Sequence, residues 1–132
     1  MNTTGVVAAV SSFLAIWFGH VAVRKIEFSA PKLRTPAALF ILLGILLEVL
    51  AAGTAAQPAA AAFGIVGFTF LWDALELKRQ EGRVRKGHAP ANPHNPRHAE
   101  ILTAPGSQAT TLNRLKREPA ALPGRIGRGI IY

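Results

Sequence analysis

The sequence predicts an all-α membrane protein: three transmembrane helices, the third extended into water, followed by an irregular basic C-terminal tail. Three observations predict it. Residues 1–23 contain no Asp, Glu, Lys or Arg, and residues 35–72 contain only Glu48. A helix needs about 20 such residues to cross a bilayer core of about 30 Å. The 15 Lys+Arg against 7 Asp+Glu, a formal net charge of +8, lie almost wholly outside these runs. The third observation is their sidedness: Arg24, Lys25, Lys32 and Arg34 follow the first run, the link around Gln57 has none, and all the others follow the third run.

The first span is expected at residues 5–23, "GVVAAVSSFLAIWFGHVAV", with Trp17 and Phe18 toward its charged end, as interface aromatics stand. A cleaved signal peptide is the weaker reading, because the charges follow the apolar run instead of preceding it. The second span is expected at residues 36–56, with Pro36 in its first turn, where a missing N–H costs nothing. The third covers residues 59–77. A link of a few residues around Pro58 makes the second and third spans an antiparallel hairpin. The positive-inside rule then places the N-terminus outside and residues 24–35 and the C-terminus in the cytoplasm.

Residues 59–72 measure only about 21 Å as a helix, short for a bilayer. The helix is therefore expected to continue past Trp72 to about Lys86, with Lys78 and Arg79 reaching headgroups. Glu76 with Arg79 and Glu81 with Arg85 support it, and Gly87 ends it. Residues 88–98, "HAPANPHNPRH", read as turns or extended chain. The first 100 residues form one domain in this reading. Residues 101–132 form an interaction tail without the periodicity for a core, a short helix near residues 111–117 being its one candidate element.

At this point "GHVAVRKIEF" and "FGIVGFTFLWDALELKRQEGRVRKGHAPANP" resemble a small bacterial inner-membrane family of unknown function with three helices. The positions that carry the resemblance are His20, Gly64, Gly67, Phe68, Leu71, Trp72, Glu76, Arg83, Val84, Lys86, Gly87, Pro90, Asn92 and Pro93. It covers about residues 5–93. His88 and Ala89 depart from it, as do Glu48 and the long tail. The resemblance implies a topology and no activity.

Candidate site residues are few. His20, about one turn before Arg24, reads as an interfacial histidine, with ligation of a haem or chlorin as the functional alternative. Glu48 is the costly residue, since an ionised acid near the midplane costs about 2.5–3.5 kcal/mol on insertion scales. It is expected to be protonated or to face a polar group other than His20. His88, His94 and His98 are irregularly spaced among prolines, without Cys, and read as a solvated loop with no metal. Ala60, Gly64 and Gly67 permit close helix contact. In the tail, Arg114, Lys116, Arg117, Arg125 and Arg128 suit anionic lipid headgroups, while Ile126, Ile130, Ile131 and Tyr132 suit apolar anchoring on a protein partner. With Tyr132 as the sole aromatic of residues 73–132, no stacking platform for nucleic acid is expected.

No nucleophile–base arrangement or phosphate loop points to an enzyme. The expected function is that of an accessory or scaffolding subunit docked on a larger bacterial membrane complex, of respiratory or photosynthetic type. The alternative is an autonomous homo-oligomeric carrier or channel using Glu48.

Overall fold

Charge-free apolar runs fold as helices in lipid because only intrahelical hydrogen bonds satisfy the backbone there. The computed structural model, which describes residues 2–113, contains three such helices: α1 (Thr3–Ser29), α2 (Arg34–Gly53) and α3 (Gln57–Arg85). All three are long and apolar enough to cross a membrane. A fourth, short helix, α4 (Pro96–Thr103), follows them, and the described residues contain no strand.

Length separates the three. The 20 residues of α2 span about 30 Å, the thickness of the hydrocarbon core. The 27 of α1 and the 29 of α3 span about 40 and 43 Å. Because the chain runs up, down and up, the excess of both long helices emerges at one end. There α3 passes Trp72 without a break, as its short apolar run requires. Arg79 stacks on Trp72, 4.7 Å from the ring centroid, and approaches Glu76 at 3.6 Å. The Glu81–Arg85 pair forms at 3.8 Å. Gly87, with φ 69°, takes the left-handed conformation that closes the helix.

α3 is the central helix: α1 and α2 both pack on it and hardly on each other. Each contact is made at glycine. A methyl group on Gly44 would stand 2.9 Å from the Gly67 carbonyl, and one on Gly67 would stand 3.1 Å from the Gly44 carbonyl, so α2 and α3 meet backbone to backbone. Phe40 stacks on Phe70 nearby, with centroids 5.7 Å apart. On the other side, a methyl on Gly19 would fall 2.5 Å from Asp73 Oδ2, so α1 crosses α3 over a carboxylate. Large apolar side chains such as Phe13, Ile16, Leu42 and Leu46 remain exposed, as a lipid-facing surface demands.

The buried residues gather at the projecting end. Val84, Ala91 and Ile101 form a small core, with Ala89, Leu102 and Ala109 against it. The chain after α4 returns to α3 through Gln108 N–H to the Arg85 carbonyl (3.0 Å), and Ala91 N–H bonds the Thr110 carbonyl (2.8 Å). This corrects the reading of residues 88–98 as turns and extended chain, since α4 begins inside them. It also runs through residue 100, where the sequence divided the chain. The expected helix near residues 111–117 and the tail residues Arg114 to Tyr132 lie outside the described residues, apart from residues 111–113, which are not helical.

Gly82 lies in the water-projecting part of α3 with nothing near enough to meet a Cβ. Gly82→Ala should therefore stabilise this part by about 0.5–1 kcal/mol, through the backbone entropy that glycine loses in a helix. Slower hydrogen exchange of the amides around residue 82 is the expected result, and unchanged or faster exchange would show that the position is not open.

Candidate functional site

A helix leaves its last four carbonyls without intrahelical partners. At the end of α1, polar side chains from residues 92–98 take up those of Glu27 and Phe28, and that of Ala30 just beyond the helix. Asn92 Nδ2 donates to the Phe28 carbonyl (3.1 Å), and Asn95 Nδ2 donates to the carbonyls of Phe28 (3.1 Å) and Ala30 (3.0 Å). Arg97 Nη2 donates to the Glu27 carbonyl. The two Asn-Pro steps prepare this grip. Asn92 Oδ1 accepts from His94 N–H (3.0 Å) and shapes the first turn. Asn95 Oδ1 accepts from Arg97 N–H (3.1 Å), which makes Asn95 the N-cap of α4, with Pro96 at its first position.

Glu27 is the centre of the clasp. It is 1 % exposed. Its Oε1 receives Arg97 Nη1 at 3.0 Å and His98 Nε2 at 2.8 Å. His98 is fully buried. Its Nδ1 accepts from Asn92 N–H (2.8 Å), so the ring proton sits on Nε2, aimed at the carboxylate. Arg97 also reaches Glu81 of α3 at 3.4 Å. One cation thus ties α1, α3 and α4 together. A buried charge is tolerable only when it is paired and hydrogen-bonded in this way.

Two grooves flank the clasp. One, of about 570 Å³, lies between the end of α1 and the projecting part of α3 and is lined by Arg24, Lys25, Phe28, Arg83 and His88 among others. The second, of about 410 Å³, shares Arg24, Gln80 and Arg83 with the first and runs back past Trp17, His20 and Val21. On the α3 wall Arg83 bonds Gln80 Oε1 (2.9 Å) and pairs with Glu76 at 2.8 Å.

His20 is exposed on α1, on the edge of the second groove, and its carbonyl accepts from Arg24 Nε (3.2 Å). Glu48 is half-buried and turns toward α3. Its Oε1 would stand 3.0 Å from a methyl on Gly67, its Oε2 4.0 Å from one on Gly64, and Oε1 has no hydrogen-bond partner among the described residues. Glu48 and His20 stand on helices that hardly touch each other. His88 and His94 are exposed, whereas His98 is not the solvated loop residue that its spacing suggested. No group of three metal-ligating side chains occurs among the described residues.

A family model described as a domain of unknown function, DUF4491, matches residues 2–95. The chain belongs to this family. Neither the curated proteins nor the solved structures yield a match. The DUF4491 region takes in all three long helices and ends at Asn95, so the asparagine half of the clasp lies within it and Arg97 and His98 lie just beyond. Several positions that carried the resemblance have a structural reason here: Gly67 at the α2–α3 crossing, Glu76 with Arg83, Val84 in the core, Gly87 at the helix end, and Asn92 on α1.

Sequence reasoning missed Glu27, Arg97 and His98. Glu27 was hidden in a segment read as a loop, although it follows Val23 by four residues and continues its helical face. Arg97 and His98 follow Asn95-Pro96, a cap followed by a proline, which is a helix start signal in itself.

Proposed function

We propose that the chain is a non-enzymatic accessory subunit of a bacterial cytoplasmic-membrane complex, with its clasped end in the cytoplasm. The observation that favours this reading is the arrangement of the spans. With α1 and α2 on opposite sides of α3 and scarcely touching, three helices enclose no lumen, and most of the surface of α1 and α2 is left for other membrane components. The clasp adds a preformed surface at one end, which suits docking better than turnover. The carrier or channel reading draws on Glu48. Its Oε1 faces the α2–α3 crossing, so that reading requires the crossing to open.

Orientation is tested with reporter fusions at Gln57 and after Asn113. They should report opposite faces of the membrane, the latter cytoplasmic, and identical readings would overturn the topology. The accessory role is tested by purification in mild detergent and native mass measurement. A complex of constant stoichiometry with a different membrane protein is expected. A chain that runs solely as copies of itself would favour the carrier. Truncation to probe the tail belongs after Asn113, because Ile101 is buried and Ala109 packs against it. Loss of the complex on that truncation would assign docking to the tail.

A further inference from the structure

The groove between α1 and α3 sits at a defined depth. Arg24 is the first charge after the apolar run of α1, so the groove opens where hydrocarbon gives way to headgroups. The acid that lines it, Glu27, is held by Arg97 and His98, and Glu76, which lines the adjoining groove, is held by Arg83 and Arg79. Arg24 and Lys25 form no ion pair among the described residues, and both are exposed into the groove. The result is a concave site at headgroup level with uncompensated positive charge and an apolar wall at Phe28.

We propose that this groove holds the phosphodiester of an anionic phospholipid, with Arg24, Lys25 and Arg83 as its ligands. A guanidinium presents paired N–H donors that match phosphate oxygens, and a neighbouring ammonium adds a point charge. The second groove explains why the phosphate comes on a lipid. It shares Arg24 and Arg83 with the first and runs back past Trp17 and Val21 to the level of the apolar span, a path for acyl chains. The chain's own tail is a poor competitor by charge, because residues 114–132 carry five Lys+Arg and Glu118 as their one acidic side chain. This inference goes beyond the accessory role and needs only the membrane span of α1.

The test uses the full chain in an uncharged detergent, with native mass spectrometry as the readout. Phosphatidylglycerol, phosphatidylcholine and inorganic phosphate are the probes. One retained phosphatidylglycerol per chain is expected, with phosphatidylcholine retained less. Arg24→Ala with Lys25→Ala should cut retention about thirtyfold, given the attraction of each of the two basic residues near an anionic surface. Lys32→Ala with Arg34→Ala removes equal charge outside the groove and should leave retention unchanged. Helix content is measured for each, and Arg24→Gln with Lys25→Gln serves as the second pair should the alanines fail to fold. The proposal fails if both charge pairs lose lipid equally, if the groove variants keep it, or if phosphatidylcholine binds as well. Displacement by millimolar inorganic phosphate would make the groove a soluble-phosphate site instead. Lipid retained only after truncation past Asn113 would assign the groove to the tail.

Discussion

Replacing Glu27 by alanine should release the clasp while leaving the three spans in place. Removing one partner of a buried ion pair costs about 3–5 kcal/mol, because the other charge stays buried without compensation. Here Arg97 keeps Glu81, but His98 Nε2 loses its one acceptor among the described residues at the centre of a closed site. Hydrogen exchange of the amides in residues 91–110 should accelerate by two orders of magnitude or more, which is the same cost expressed as an opening equilibrium of about 3 kcal/mol. Amides in the apolar parts of α2 and α3 should not change. Glu100→Ala, which removes an exposed acid from α4, is the control expected to have no effect. Unaltered protection in Glu27→Ala would mean that the Asn92 and Asn95 bonds to α1 suffice alone.

Gly67→Leu should separate the α2–α3 hairpin. The space at Gly67 is bounded by the Gly44 carbonyl at 3.1 Å, Leu47 Cβ at 3.0 Å and Glu48 Oε1 at 3.0 Å. Only the carboxylate can move aside cheaply, because the other two are main chain and the root of a side chain. Packing between helices in lipid rests on close approach, with no hydrophobic drive to replace it. Overpacking of this kind costs about 1–3 kcal/mol or more. A cross-link between cysteines placed at Ala51 and Gly64, where the two Cβ atoms would stand 3.8 Å apart, should form readily in a Gly67 background and weakly with Gly67→Leu. Gly53→Ala, where nothing lies within 4 Å, should leave it unchanged. Equal cross-linking in all three would show that the crossing tolerates a larger side chain.

The membrane part was legible because its signals are one-dimensional. An uncharged run long enough for a bilayer has few other fates, and the short apolar stretch before Trp72 forced α3 onward into water. The close contact at Gly67 followed from residue size. The clasp was not legible, because its members are separated by up to 71 residues and each looks ordinary alone. Glu27 is one acid in a basic segment, and His98 is one of several histidines among prolines. What makes them a site is that α1 and α3 overshoot the bilayer at the same end. That depends on helix lengths to within a turn, and terminal turns are where a sequence is least explicit.

The distance along the chain between Glu27 and its partners also sets an order of events. At synthesis rates of roughly 5–20 residues per second, Arg97, 70 residues later, follows Glu27 by about 4–14 s. During that interval α1 can enter the membrane, but its last carbonyls and its acid must be kept wet. Closure also demands that the segments after α1 and after α3 emerge on one face of the bilayer. A chain inserted with one span too few puts Arg97 across the membrane from Glu27 and leaves residues 91–110 unfolded and open to proteases. Closure of the clasp therefore requires that the C-terminal ends of α1 and α3 lie on one face of the bilayer.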